Sequence, residues 1–229
     1  MRTAYRLTGK SVGYAVLACC SIIPAIASAE LSGNIGASSN YIFRGITQTN
    51  DQAAISGGLD YAHDSGFYVG TWLSNVDFSG GAGTGGYEHD YYAGYAGEAA
   101  GASYDVGVIS FQYPIEGGSS FPDFTEFYIG GSYSIVSAKY SYTDDFDGAD
   151  HSAYYLEGAL DFGLPQEIGL NLHVGTSDGD AFDLGGVDTS YADYSVTLSK
   201  GEFAFGVSHT DVDNDRPRAF VSWAKTFDL

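Results

Sequence analysis

Apolar and polar residues alternate with a period of two along most of this chain. Phe203, Phe205 and Val207 alternate with Ala204, Gly206 and Ser208. Ile168, Leu170, Leu172 and Val174 alternate with Gly169, Asn171 and His173. Tyr154, Leu156, Leu160 and Phe162 alternate with Tyr155, Glu157, Ala159 and Asp161, and Tyr194, Val196 and Leu198 with Asp193, Ser195 and Thr197. In an extended strand, this spacing puts one set of side chains on each face. Twelve strands are predicted, at about 31–43, 53–62, 67–76, 88–97, 103–113, 123–133, 136–143, 152–163, 167–176, 190–199, 202–210 and 219–229. Most are near the ~9–11 residues that a tilted strand needs to cross a bilayer.

The connections alternate between long and short. The long ones are 44–52, 77–87, 114–122, 144–151, 177–189 and 211–218, rich in Gly, Asp and Ser, as in the run 79–86. The short ones are tight-turn material, such as His63-Asp64-Ser65-Gly66, Ala99-Ala100-Gly101, Pro165-Gln166 and Lys200-Gly201. An even strand number, long loops on one side, short turns on the other and apolar faces ending in Tyr or Phe describe a transmembrane barrel with lipid outside and a polar lumen. The fold class predicted is all-β: a transmembrane antiparallel up-and-down β-barrel of about twelve strands, preceded by a signal peptide. A soluble sandwich would turn the same apolar faces toward a core, but would not sort its loops by length.

The N-terminal segment supports export. Arg2, Arg6 and Lys10 precede an uncharged, mostly apolar stretch from Ser11 to Ile23, then Pro24 and Ala27-Ser28-Ala29 before Glu30. This order is that of a secretory signal peptide, giving residues 1–29 as signal and 30–229 as barrel. Val16-Leu17-Ala18 before Cys19 offers a lipoprotein signal as the rival reading. Without residues 1–29, six of the nine basic residues remain against all 29 acidic ones, a net charge of −23 on 200 residues. Cys19 and Cys20 go too, so no disulfide holds the rest together. So acidic a chain is not expected to bind nucleic acid. Its charge suits cations or a cation-attracting pore. Mean hydropathy is −0.08, and the 32 Gly, 19 Tyr and 14 Phe fit a β-protein rather than disorder.

Val221, Trp223, Phe227 and Leu229 share one face of the last strand. This resembles the terminal strand by which outer-membrane barrels meet the barrel-assembly machinery. Lys225 interrupts that face, through either snorkelling or a bulge that shifts the register.

A family resemblance rests on Ser39-Asn40-Tyr41-Ile42-Phe43-Arg44-Gly45-Ile46-Thr47-Gln48-Thr49, Gly57-Gly58-Leu59-Asp60-Tyr61, the run Gly66 to Phe78, and Tyr92 to Glu98. These segments resemble the TorF-type porin family, also called Gcw_chp, uncharacterised outer-membrane proteins of Gram-negative bacteria. The match is concentrated in residues 38–98; Phe124 to Tyr133 and Ser137 to Thr143 fit more loosely. A Pro usual in that family after the Thr47-Gln48-Thr49 region is missing from Gln52-Ala53-Ala54, which touches loop geometry more than class. The resemblance implies an outer-membrane protein with a channel function and supplies no catalytic residue.

On these face assignments, the candidate pore-lining residues are Asn34, Asn40, Arg44, Asp60, Asp90, Glu126, Lys139, Glu157, Asp161, Asn171, His173 and Asp193. A carboxylate-lined aqueous path concentrates cations and opposes anions. The competing expectation is a narrow or plugged lumen, with Glu126 or Glu157 paired to Lys139 and Arg44 paired to a neighbouring acid. Arg44 is the only basic residue between Glu30 and Lys139; it is either a constriction charge or a loop anchor. Asp211-Val212-Asp213-Asn214-Asp215 has alternating oxygen ligands, but Arg216 stands where an EF-hand needs Gly, so a solvated external loop is expected there. Asp144-Asp145 and Asp178-Gly179-Asp180 read as similar acidic tips. The five His are scattered without metal-ligand spacing, and no G-x-S-x-G is present. Catalytic, cofactor and metal sites are therefore not expected, although His173 or His209 beside a Ser across the ladder would be required of a barrel lipase or protease.

The function expected is an outer-membrane porin-like channel for passive diffusion of small hydrophilic solutes, favouring cations. The alternative is a non-conducting barrel that binds a partner, surface polysaccharide or divalent ions through acidic external loops.

Overall fold

The computed structural model describes residues 30–78, 85–114, 122–146, 148–184 and 186–229. The expected signal segment 1–29 and most of the Gly-rich run 79–86 lie outside the described residues. Twelve long strands form one closed barrel: β1 Glu30–Ser38, β2 Ala54–Ala62, β3 Phe67–Asp77, β4 Gly85–Ala99, β5 Ala102–Gln112, β6 Phe124–Tyr133, β7 Val136–Thr143, β8 Ala153–Leu164, β9 Ile168–Asp178, β10 Tyr191–Lys200, β11 Phe203–Thr210 and β12 Arg218–Asp228. Each pairs antiparallel with its neighbours in sequence. β1 closes the ring against β12, from Ser32↔Asp228 to Ser38↔Ser222. A closed ladder satisfies every strand's backbone donors and acceptors without an edge, the condition for crossing lipid with strands.

The two rims differ as expected. One carries tight turns at 63–66, 100–101, 134–135, 165–167 and 201–202, and β1 begins and β12 ends there. At Ala100-Gly101 both residues have positive φ, 53° and 81°, the backbone of a two-residue hairpin turn. The long connections leave from the other rim: 39–53, 144–152, 179–190 and 211–217, together with 78–84 and 113–123, most of whose residues lie outside the described ones. Among the described residues no helix is long and apolar enough to cross a membrane. The first strand is shorter than predicted. The aromatic run at 41–43 reads as strand, but the chain leaves the barrel ladder after Ser38 and makes a separate small ribbon, Ile42–Phe43 against Ile46–Thr47.

The exterior is apolar. Ile55 is 68% exposed, Phe127 63% and Ile129 61%, and Leu59, Val69, Val106, Leu156, Val196, Phe205 and Val221 face the same way. Leaving such side chains in water forfeits about 1.5–3 kcal/mol each, so this surface belongs in lipid. Exposed Tyr61, Phe67, Tyr104, Tyr133 and Phe203 ring the tight-turn side, with Tyr87, Tyr91, Tyr142 and Tyr194 toward the other rim. The β1–β12 register is unbroken, which removes the bulge account of Lys225. Lys225 stands outward opposite Ile35, two residues from Phe227, a level from which a lysine stem can extend to the headgroups.

Glycines and aromatic rings are paired across the ladder. On the inner face Gly70 opposes Tyr92, Gly94 opposes Tyr68, Gly107 opposes Tyr128 and Gly206 opposes Phe220; on the outer face Gly33 opposes Phe227 and Gly97 opposes Tyr104. In each pair the ring lies where a Cβ on the glycine would sit. At these six pairs Gly and the aromatic residues share one geometric role: flat rings tile strands stripped of side chains. A valine at Gly94 would strike Tyr68 and the Val106 carbonyl. Gly94→Val should therefore destabilise the barrel by about 1–3 kcal/mol, read as a lower urea midpoint for the loss of heat-modifiable gel migration. Gly163→Val, with open space beside it, should leave that midpoint unchanged.

Candidate functional site

The barrel interior has two unlike halves. Toward the tight turns, the inward side chains of Asn34, Asp60, Asp105, Lys139, Glu157 and Asn171 keep partial exposure, and Asp161 is exposed. Asn34 Nδ2 donates to Asp60 Oδ2 at 3.1 Å, Asn171 Nδ2 to Asp161 Oδ1 at 2.9 Å, and the Tyr92 hydroxyl also donates to Asp60. Tyr68 donates to Asp105 at 2.7 Å and meets the Tyr128 hydroxyl. The Lys139 ammonium lies 4.3 Å from the Tyr128 ring centroid. It does not bridge Glu126 or Glu157, as the plugged-lumen expectation required, although Lys139 and Glu157 are in register. Glu157 instead faces His173 Nδ1 at 3.6 Å. His173 Nε2 is 3.1 Å from Asp193 Oδ1 and 3.0 Å from the Tyr155 hydroxyl, which donates to Asp193 Oδ2 at 2.8 Å.

Toward the long loops the interior is filled. Segment 39–53 folds into the barrel, so Asn40 and Arg44 sit on an inserted segment and not on the strand predicted for them. Its tip is the two-residue turn Arg44-Gly45, with φ of 47° and 79°. Gly45 has no room for a side chain: a Cβ there would overlap Thr210 of β11 and Asp193 of β10. Arg44 Nη2 makes a 2.7 Å ion pair with Glu126 Oε2 on β6. Its guanidinium carbon lies 4.4 Å from the Tyr155 ring centroid and 4.7 Å from that of Phe43. Tyr41 donates to Glu88 Oε1 at 2.7 Å and packs edge-on against Trp72; Phe43 does the same against Phe111. The segment therefore reaches from β3 across to β11. The competing expectation for Arg44, pairing with a neighbouring acid, describes this contact.

The Thr47-Gln48-Thr49 stretch that carries the family resemblance holds the segment's shape. The Thr47 hydroxyl donates to Asn40 Oδ1 at 2.6 Å and accepts from Asp51 N at 2.9 Å. The fully buried Thr49 donates to the Gln52 carbonyl at 2.6 Å and accepts from Tyr41 N at 3.1 Å. Further rings form a chain at the loop side: Phe111 stacks on Phe124, Phe124 meets Phe146, Phe146 meets Phe182, and Phe182 meets Tyr191, at centroid distances of 4.6 to 6.0 Å. Phe146 and Phe182 come from two different long loops.

A clamp fastens the segment from outside. Asp51 accepts from Asn40 Nδ2 at 2.9 Å, Arg216 Nη2 at 3.0 Å and Arg218 Nε at 3.1 Å. Arg218 also pairs with Asp215, which accepts from the Thr210 amide at 3.0 Å and hydroxyl at 2.7 Å. The acidic run 211–215 was expected to be a solvated loop, but Asp215 is committed to this clamp and only 6% of its side chain is exposed. Among the described residues no group of three or more His, Cys, Asp or Glu is placed to hold a metal ion. Asp178 and Asp180 are tied to Tyr154 and Ser152.

Predicted and observed interior sets overlap along the strands, where alternation decides the face. Glu88, Asp105, Tyr41 and Tyr155 were missed. Glu88 is 1% exposed and stands two residues from Asp90 on the same face, so alternation alone could have found it. No sequence signal showed that 39–53 turns inward. His173 and His209 have no serine hydroxyl as a hydrogen-bond partner among the described residues; His209 faces Asp215 at 3.4 Å.

A closed antiparallel barrel with an apolar belt, long loops on one rim and acidic side chains within is the porin class of fold. Residues 24–228 match the family described as "Bacterial protein of unknown function (Gcw_chp)", and the chain belongs to that family. No curated protein matches it in sequence. Similar solved structures include the KdgM porin, with 11% identity over 86% of this chain and 99% of that one at a TM-score of 0.56. The NanC porin follows at 9% identity over 87% and 99%, TM-score 0.52. An outer-membrane channel from Pseudomonas putida F1 has 11% identity over 91% and 98%, TM-score 0.51.

Partial burial raises the Asp215 carboxyl, but the Thr210 and Arg218 hydrogen bonds outweigh it and hold the group down at about 2. Asp51 is likewise lowered, its arginine partners overcoming burial. A carboxyl held below its unfolded value stabilises the fold above that value and stops doing so as pH falls through the folded one. Asp215→Asn should thus lower the unfolding midpoint at pH 7. The gap from the unsubstituted chain should shrink as pH falls from about 4 toward about 2, measured by urea titration at each pH.

Proposed function

We propose that this protein is an outer-membrane barrel of porin type, exported through the cleavable segment 1–29, that lets small hydrophilic solutes diffuse passively and favours cations. The observation that carries the reading is a lipid-suited exterior around an interior whose water-accessible half holds Asp60, Asp105, Glu157 and Asp161 against the single base Lys139. Carboxylates in a confined aqueous path raise local cation concentration. The likeness to porins and an outer-membrane channel in fold agrees with this reading. Asn34, Asn171 and His173 complete the proposed lining, and Arg44 with segment 39–53 sets its narrowest level. The outward face of β12, with Val221, Trp223 and Phe227, is the surface proposed to meet the barrel-assembly machinery. We assign no catalytic role.

The filled loop-side half favours one second reading, a barrel that does not conduct and serves through its acidic loops. Planar-bilayer recording separates the two. Purified protein should give small stepwise conductances with a reversal potential of cation sign. Replacing residues 39–53 by a short Gly-Ser turn should raise the conductance several-fold, as widening a constriction does. Changing Asp60, Glu157 and Asp161 together to their amides should move the reversal potential toward zero. Silence from both the intact and the trimmed barrel would remove the channel reading, and anion preference would remove the cation one.

A further inference from the structure

The surroundings of Arg44 are those of a ligand cage. A carboxylate, Glu126, meets the guanidinium at 2.7 Å, and an aromatic face, Tyr155, covers it at 4.4 Å. Both belong to the barrel wall and are nearly inaccessible, at 3% and 1% exposure. Tyr155 is fixed from behind, its hydroxyl held by Asp193 and His173. Asp90, 1% exposed on the same inner surface, has one carboxyl oxygen, Oδ1, without a hydrogen-bond partner. The occupant is held differently. Arg44 takes a backbone conformation uncommon for a side-chain-bearing residue, at the tip of a two-residue turn whose Gly45 is pressed against Asp193 and Thr210. The wall is rigid and acidic, while the cation arrives on a separate inserted segment.

We propose that this wall site binds guanidinium-bearing solutes, and that Arg44 is a tethered stand-in for them. The idea rests on the porin-like reading for how solute reaches the site. If segment 39–53 withdraws, Glu126 stays buried without its counter-ion, a costly state that an incoming cation relieves. A guanidinium suits the vacancy better than an ammonium. It is planar, stacks on Tyr155, forks onto a carboxylate and gives up water more readily. Solute and Arg44 then compete for one place, so binding solute favours the withdrawn segment.

Calorimetry on the full barrel in detergent, titrated with methylguanidinium or methylammonium chloride, tests this. Arg44→Ala should bind methylguanidinium about tenfold or more tightly than the unsubstituted barrel, and more tightly than it binds methylammonium. Adding Glu126→Gln should abolish the gain. Equal binding of the two cations, or a gain that survives Glu126→Gln, overturns the proposal. Should Arg44→Ala fail to fold, Gln48→Cys replaces it. Gln48 is buried, so its labelling by an impermeant maleimide should quicken several-fold in methylguanidinium and not in potassium chloride of equal ionic strength. An unchanged rate overturns the proposal. Bilayer recording separates this idea from the channel reading. A silent barrel that still binds methylguanidinium in the Arg44→Ala form loses only the channel, and a conducting barrel without that preference loses only the cage.

Discussion

Closure of the hydrogen-bond ladder between β1 and β12 is the constraint on which the rest of the molecule depends. Once Ser32 to Ser38 pair with Asp228 to Ser222, no strand of the barrel has a free edge, and the side chains are released from providing a core between layers. They can be sorted instead by what lies on either side of a single wall. Large aliphatic residues turn outward, and carboxylates, amides and hydroxyls turn inward. The short turns follow from the same constraint, since adjacent antiparallel strands need only two or three residues to reverse.

The period-two pattern made the wall legible. A strand face cannot drift, so a residue such as Glu126 or Asp193 could be placed inside from its neighbours alone. Strand ends were legible where turn residues marked them, as at Ala100-Gly101 and Lys200-Gly201. The failure at 39–53 has a physical cause. Tyr41, Ile42 and Phe43 have the local preferences of a strand, and Ile42 and Phe43 do form one, but in a ribbon of two residues a side that packs inside the barrel. Local preference reports conformation and is silent about location. The contacts that bring the segment inward join it to Glu88, Glu126 and Asp193, distant positions in the chain. The clamp was hidden for a similar reason. Asp51 and Arg218 are separated by 167 residues, and an acidic run looks the same whether water or arginine satisfies it.

The interior combines two ways of handling charge. Near the turns, carboxylates are shared among tyrosine hydroxyls and amides and retain access to water. Near the loops, Glu126 and Arg44 neutralise one another out of water, and the Phe43 and Tyr155 rings cover the guanidinium. The first arrangement leaves a field that a mobile ion can feel, and the second cancels it locally. The boundary between them, at Tyr155, His173 and Asp193, is where the inserted segment meets the wall.

The tiling of glycine by aromatic rings has a consequence for how such a wall changes over generations. A ring and the bare backbone beneath it occupy one volume jointly, so neither partner can enlarge or shrink alone without a collision or a hole. The two partners are free only to trade places across the ladder or to vanish together. Relatives of this barrel should accordingly keep these positions as linked couples, even where little else in their sequences has survived.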